Sequence, residues 1–188
     1  MNTAVTSKEE ILRVSRDFIQ RQGWESFNIR TIAKECNISV GSIYNYFQNK
    51  TDLITATVKS VWHDIFHFPE NTAAFDSFVE CVEWAFESMK KGEERYPGFF
   101  AFHSMLFMKE EKGNGQQLMA ESWYHIREGL YQVLMHDKNV CMSTFDNDFT
   151  PHKFVEIIFS LILAAIIRHD YDCSGITGMI RRTIYINH

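Results

Sequence analysis

Apolar positions recur along this chain at the 3.6-residue spacing of helices, and capping residues stand at the breaks between them. Ile11, Ser15, Phe18 and Gln22 fall on one stripe with Leu12 and Ile19 beside it, while Lys8, Arg13, Arg16, Asp17 and Arg21 fall away from it. The spacing predicts an amphipathic helix over residues 7–22. Ser7-Lys8-Glu9-Glu10 is a capping box, in which Ser7 takes a free helix amide and Glu10 reaches back. Gly23 supplies the stop. Asn28 caps a second, short helix through about Cys36. Asn37-Ile38-Ser39 is a turn, and Ser39 caps a third short helix reaching Phe47. Asn49 caps a fourth, with Asp52 as its reciprocal partner, running through Leu53, Thr57, Val61 and Ile65.

Beyond Pro69 the pattern lengthens. Phe75, Phe78, Val79, Val82, Phe86 and Met89 keep helical spacing, and Gly92 is expected to end that run. Pro97-Gly98 breaks the chain before a segment from Phe99 to Lys109. Residues 110–115 are a polar, glycine-bearing loop. Leu118, Ser122, His125, Ile126, Gly129, Leu130, Val133 and Leu134 form another stripe. Thr150 is a cap with Pro151 at the first helical position, and a helix runs from there to about His169. A last helix covers about 175–185. No stretch alternates as a strand does, and no repeat appears. The fold class expected is therefore all-α, with about nine helices.

The most apolar run, Phe154 to Ile167, is 14 residues long and contains Glu156 and Ser160. A membrane span needs about 20, so this helix is expected inside protein, in a core or between subunits. The chain has 188 residues, which suits one domain or a small domain joined to a medium one. With only 3 Pro and 9 Gly it is poor in the turns an all-β fold needs. Net charge is −5, which excludes holding nucleic acid by overall charge but not by a local surface. Residues 1–53 hold 7 basic and 6 acidic side chains, and the remainder 12 and 18. The acidity thus belongs to the longer C-terminal part, which leaves the N-terminal part free to meet an anion.

The N-terminus, Met1 to Glu10, has no apolar core for a signal peptide. Cys36, Cys81, Cys141 and Cys173 are scattered and form no C-x-x-C pair, as expected of free thiols in a reducing cytoplasm. His63 and His67 stand at the i, i+4 spacing of a helical metal pair, but no carboxylate or Cys lies at a telling distance. Neither a metal nor a cofactor is expected. No nucleophile elbow, phosphate loop, zinc-protease helix or dinucleotide fingerprint occurs, so an enzyme is not expected.

Two short helices joined by a three-residue turn form a helix-turn-helix, whose second helix is placed to enter a major groove. The residues go further than that pattern. Asn28-Ile29-Arg30-Thr31-Ile32-Ala33, then Asn37-Ile38-Ser39-Val40-Gly41-Ser42-Ile43-Tyr44-Asn45-Tyr46-Phe47, then Asn49-Lys50-Thr51-Asp52-Leu53 strongly resemble the DNA-binding domain of the tetracycline-repressor (TetR) family. Its pattern runs I-A, G-V-S, G-x-L/I-Y-x-H/Y-F and x-K-x-x-L. Asn37 departs from the family's usual Gly. The position calls for positive φ, and Asn tolerates that conformation next best. Tyr46 stands where His is common.

The side chains divide into core and surface. Ile32, Ala33, Ile38, Ile43 and Phe47 are expected to pack the small core. Gly41 and Ser42 are small enough for close approach to base edges, and Val40 can touch a thymine methyl. Ser42 and Asn45 can hydrogen-bond bases or phosphates. Tyr44 and Tyr46 look like phosphate-contacting phenols, with core packing the other reading for Tyr44. Lys50, in the first turn of helix four, is a cation at a positive helix end; the family uses this Lys for a phosphate. Arg30 and Thr31 begin helix two, where free amides also attract phosphate, although Arg30 could equally be a solvated charge.

The resemblance further implies a helix-turn-helix domain over residues 1–48 and a ligand-binding and dimerisation domain over 49–188. Its expected activity is that of a dimeric transcriptional repressor released by a small-molecule ligand, with activation the other reading. Candidate interface residues are Ile157, Leu161, Ala164, Ala165 and Arg168. A two-fold dimer would present recognition helices about 34 Å apart to a palindromic operator on double-stranded DNA. The middle helices are rich in aromatic residues and Met, which suits an apolar, aromatic or amphipathic effector. Trp84, Phe86, Phe102, His103, Met105, Trp123 and His125 are the candidate lining, with plain core the other reading for each apolar one. Glu80, Glu83 and Glu87 form an acidic face, read as solvated. The competing functions are a helical metal-binding protein or enzyme with an incidental helix-turn-helix, and a DNA binder regulated by a partner rather than a small molecule.

Overall fold

The computed structural model describes residues 7–66, 75–100 and 114–185, with 114–122 described by backbone alone. The chain is all-α: the described residues hold eight α-helices and no strand. These are α1 (Lys8–Gln22), α2 (Ile29–Glu35), α3 (Val40–Tyr44), α4 (Lys50–Ile65), α5 (Phe78–Arg95), α6 (Asn114–His136), α7 (Pro151–Arg168) and α8 (Ser174–Ile184). They form two compact units. The first comprises Met1–Ile65 with Gly92–Met119, and the second Phe66–Lys91 with Ala120–His188. Compactness therefore groups α4 and the segment after residue 92 with the helix-turn-helix.

In the first unit, α1 packs on α2 and α4, and α2 packs on α3. Ile11, Phe18, Ile32, Ala33, Cys36, Ile43, Phe47 and Leu53 make one buried cluster, with Ile38, Val40 and Tyr46 partly buried against it. Burying each such Ile, Leu or Phe stabilises the unit by about 1.5–3 kcal/mol. The predicted caps form. Ser7 Oγ accepts from the Glu10 amide at 3.1 Å, Asn28 Oδ1 from Thr31 at 3.0 Å and Ser39 Oγ from Ser42 at 3.0 Å. Asn49 Oδ1 accepts from the Asp52 amide at 2.9 Å, while Asp52 reaches back to the amide of Gln48 rather than of Asn49. Glu10 departs from its predicted reach, because the Arg13 guanidinium, one turn on, holds its carboxylate.

Two predicted helix ends move. The third helix stops at Tyr44 instead of reaching Phe47. Its last turn tightens, with Asn45 bonding Ser42 O at 3.3 Å and Tyr46 bonding Ile43 O at 2.9 Å, and Phe47 is buried in the core. The fifth helix does not end at Gly92 but continues to Arg95. Gly92 is not among the positive-φ residues, so it is no C-terminal stop. A Cβ there would stand 2.9 Å from the Ile65 side chain, so packing is the reason for glycine.

In the second unit, Phe78 at the start of α5 lies 5.8 Å from Phe154 of α7, which also meets Phe145 and Phe149. Asp137, just beyond α6, accepts from the Phe78 amide at 2.9 Å, from the Asn139 amide at 2.9 Å and from the Tyr185 hydroxyl. That carboxylate caps α5 from a distant part of the chain and keeps its own buried oxygens satisfied. Thr150 caps α7, accepting from the Lys153 amide at 3.2 Å with Pro151 behind it. His169 ends α7 in the left-handed conformation, φ 51°.

Candidate nucleic-acid interface

The turn between α2 and α3 is built by hydrogen bonds that only one backbone path allows. Asn37 adopts φ 55°, the positive value its place in the turn predicts. Its amide bonds Lys34 O at 3.0 Å, and the Ile38 amide bonds Ala33 O at 3.0 Å. This is the Schellman pair of bonds that closes a helix C-terminus. Ile38 then packs on the core, and Ser39 restarts the chain as a helix. The axis of α3 is thereby set against α2 by backbone bonds at both ends.

Ile43 points into the core, so the opposite face of α3 looks outward. Gly41 and Asn45 are exposed, and Tyr44 is 47% exposed. That settles Tyr44 as a surface phenol rather than a core one. Val40 and Tyr46 are half-buried against the core cluster, and Ser42 is half-buried with its hydroxyl 2.9 Å from Ser39 Oγ. Gly41 is open: a Cβ would meet only Ser39 Oγ, at an ordinary 3.5 Å. Arg30 is exposed on the first turn of α2, while the Thr31 amide is already taken by Asn28. Lys50 is exposed at the start of α4.

Lys8 belongs to this surface and is missed by sequence reasoning. It lies in the first turn of α1, and its Nζ sits 5.3 Å above the Phe47 ring, beside the residues that follow α3. Only the closure of α1 onto this region brings it there. Lys8 also borders a groove of about 370 Å³ between α1 and α4, lined further by Leu12, Asp52, Thr55, Ala56, Lys59, Ser60 and His63. His63 of the considered metal pair lies in that groove, and His67 lies outside the described residues. No group of three or more candidate metal ligands occurs among the described residues.

The candidate effector residues fall in several places. Trp84 is half-buried and packs against Phe75 at 5.4 Å and Phe66 at 6.2 Å. Phe86 is fully buried. Trp123 is half-buried with its ring 6.0 Å from Phe159. His125 is exposed, its ring against Tyr124. Phe102, His103 and Met105 lie outside the described residues. Glu80, Glu83 and Glu87 are exposed, with Glu83 3.0 Å from Arg181 and Glu87 3.4 Å from Lys91.

Of the candidate interface residues, Ile157 is 46% exposed, Arg168 is exposed, and Leu161 and Ala164 are half-buried. Ala165 is 1% exposed. One residue beyond Ala164, it is turned about 100° round the helix toward the core of its own unit. Ile167 is 68% exposed and joins the outward apolar face of α7. No helix among the described residues is long and apolar enough to cross a membrane.

Residues 11–57 match the family model of bacterial regulatory proteins, tetR family. That stretch begins in α1 and ends within α4, so it contains the whole helix-turn-helix. A solved TetR transcriptional regulator from Legionella pneumophila is similar over 98% of this chain and 100% of its own, with TM-score 0.60 and 25% identity. The transcriptional regulator FadR from Bacillus subtilis, solved in complex with stearoyl-CoA, is similar over 94% of this chain and 96% of its own, with TM-score 0.62 and 16% identity. An uncharacterized HTH-type transcriptional regulator of Haemophilus influenzae is 23% identical over 141 residues, which is 71% of this chain. The chain spans 58% of that relative's length. Over residues 11–57, which hold the helix-turn-helix, the chain is thus similar to the tetR family of bacterial regulatory proteins.

Proposed function

We propose that the protein is a dimeric transcriptional repressor that binds a palindromic operator and is released from it by an apolar or amphipathic small molecule. The observation that carries the DNA-binding half is Gly41. It is exposed, its Cβ position is open, and its backbone is helical. Glycine in a helix costs about 0.5–1 kcal/mol relative to Ala, and nothing within the fold requires it there. A partner that must come close to the backbone of α3 supplies the reason. Base edges in a major groove are such a partner.

Ser42 and Asn45, with Val40, would read bases. Arg30, Thr31, Tyr44, Tyr46 and Lys50 would hold phosphates and fix the register. Residues 1–48 are the DNA-binding domain in this reading and 49–188 the effector and dimerisation domain. The outward face of α7, through Ile157, Leu161, Ala164 and Arg168, would meet its copy in a second subunit. The candidate effector lining is Trp84, Phe86, Phe102, His103, Met105, Trp123 and His125, and stearoyl-CoA in the Bacillus subtilis regulator sets the precedent for a long amphipathic ligand. Release follows if the ligand prefers a conformation whose recognition helices no longer match the groove spacing, since only differential affinity shifts an equilibrium. A coupling of about 1–3 kcal/mol changes DNA affinity by roughly 5- to 150-fold. In this reading the protein acts in the cytoplasm, where the operator DNA lies.

The test is selection from a random-sequence duplex library at about 150 mM salt, followed by footprinting. A protected palindrome centred on one two-fold axis is expected. Weak binding without sequence preference, steeply dependent on salt, would sink the reading.

A further inference from the structure

The groove between α1 and α4 lies within the first unit and has a volume of about 370 Å³, inside the range of small-molecule sites. Its α4 side runs from Asp52 to His63, about three turns of helix or roughly 16 Å. Leu12 and Ala56 are half-buried and give it an apolar floor. Thr55, Lys59 and His63 follow one another at four-residue spacing on α4, so their polar groups form a row along that wall. Lys8 stands at one end, with its Nζ 5.3 Å from the centroid of the Phe47 ring.

Charge along the groove is one-sided. The carboxylate in its lining, Asp52, is engaged by the Gln48 amide at 2.9 Å. On α1, the Arg13 guanidinium pairs with Glu10 and Asp17, and that of Arg21 with Glu35. Arg16 differs from both. It is half-buried, donates to the Ser60 hydroxyl in the groove wall, and meets no carboxylate among the described residues. A guanidinium taken partly out of water and given a neutral hydroxyl keeps its other N–H donors and its charge for an anion. Arg16, Lys59 and Lys8 thus flank an apolar-floored cleft from both of its helices.

We propose that the groove between α1 and α4 binds a small amphipathic anion, an acidic group on an apolar body. Arg16 and Lys59 hold the acidic group, and Leu12 and Ala56 take the apolar body. The apolar floor favours a free small molecule over the sugar-phosphate backbone of DNA, which has little apolar surface to bury. The site is distinct from the candidate effector lining, whose residues lie between Trp84 and His125. An anion bound there stands near Lys8 and opposes a DNA phosphate at that ammonium; this consequence rests on the DNA-binding reading above.

The test uses the full chain and the probe anilinonaphthalene sulfonate, with uncharged phenylnaphthylamine, the same body without the sulfonate, as control. Titration of the sulfonate probe is expected to move the amide resonances of residues 8–16 and 52–63. Lys59→Gln, at an exposed helix position, is expected to weaken the sulfonate probe at those resonances by about tenfold, the usual worth of a hydrogen bond to a charged group. Binding of the uncharged control should stay as in wild type, which separates a lost charge from a damaged fold. Arg16→Gln should act in the same way. Shifts confined to residues outside the groove, or Lys59→Gln and Arg16→Gln variants that bind the sulfonate probe like wild type, would overturn the site. Saturating sulfonate probe is also expected to lower the affinity of the wild-type protein for its selected duplex by about fivefold or more, and an unchanged affinity would overturn the opposition at Lys8. A wild-type protein that selects no duplex would instead overturn the regulator reading, since the probe titrations are read without DNA.

Discussion

The outward faces of α3 and α7 are opposites. The first is five residues long, small and polar, with Gly41, Tyr44 and Asn45 outward. The second belongs to an 18-residue helix and exposes Ile157 and Ile167. Each carries a residue its own fold does not need: a glycine at an open helical position on one, and an isoleucine in water on the other. A surface that departs from what folding asks is explained by what it meets. The small polar face suits a close approach to base edges, and the apolar one suits a protein partner. Comparing the two separates the folding requirements of each unit from its contacts, and the following experiments widen or close that gap.

The largest effect is expected where surface and core cannot be separated. Phe47→Ala removes a buried ring from the small cluster beneath α3 and should cost about 3–5 kcal/mol. Urea denaturation followed by circular dichroism should show the first unit lost before the second. Next comes the apolar face of α7. Ile157→Glu with Ile167→Glu changes exposed positions, so the folded subunit should stay within about 0.5 kcal/mol of wild type. Sedimentation should nevertheless show the dimer dissociated and operator binding weakened. A variant that remains a dimer would take α7 out of the interface.

Gly41→Ala should divide the two properties on α3 itself. The protein should gain about 0.5–1 kcal/mol in stability from the helical backbone, while duplex affinity falls because the methyl occupies the space for the base edges. Equal or better binding would remove Gly41 from the interface. A smaller effect is expected from pH. Burial, then the Glu10 and Glu35 carboxylates, push the Cys36 thiol from 9.0 up to about 11. Burial, then Glu80, push Cys81 from 9.0 up to about 12. Both stay neutral in the folded chain while the unfolded chain ionises, so their contribution is fully present below the ordinary thiol pKa. It is lost as pH rises through the folded values. Stability should decline from pH 9 toward 11, and Cys36→Ala should flatten the decline for the first unit alone.

Local signals in the sequence were sufficient wherever one turn of chain holds both partners. The caps Ser7, Asn28, Ser39, Asn49 and Thr150 each bond an amide three residues on, and Asn37 takes positive φ as its place in the turn demands. Asp52 and Glu10 show the edge of that legibility. Their carboxylates had several reachable donors, and the choice fell on Gln48 and Arg13 by side-chain geometry. Among site residues, the exposure of Tyr44 and the openness of Gly41 needed the position of the core before they meant anything.

The sequence by itself determined the all-α class, the helix order and the helix-turn-helix, because amphipathic periodicity, caps and turn residues act within about ten residues of one another. Tertiary structure alone decided that α5 runs through Gly92, that Ala165 faces inward and that Lys8 reaches Phe47. It also decided that residues 92–100 join the first unit through Asp64, Trp62 and Trp24. Each of those outcomes depends on contacts between residues separated by 27 positions or more, or on which side of a helix the rest of its unit lies, and no local pattern encodes that choice.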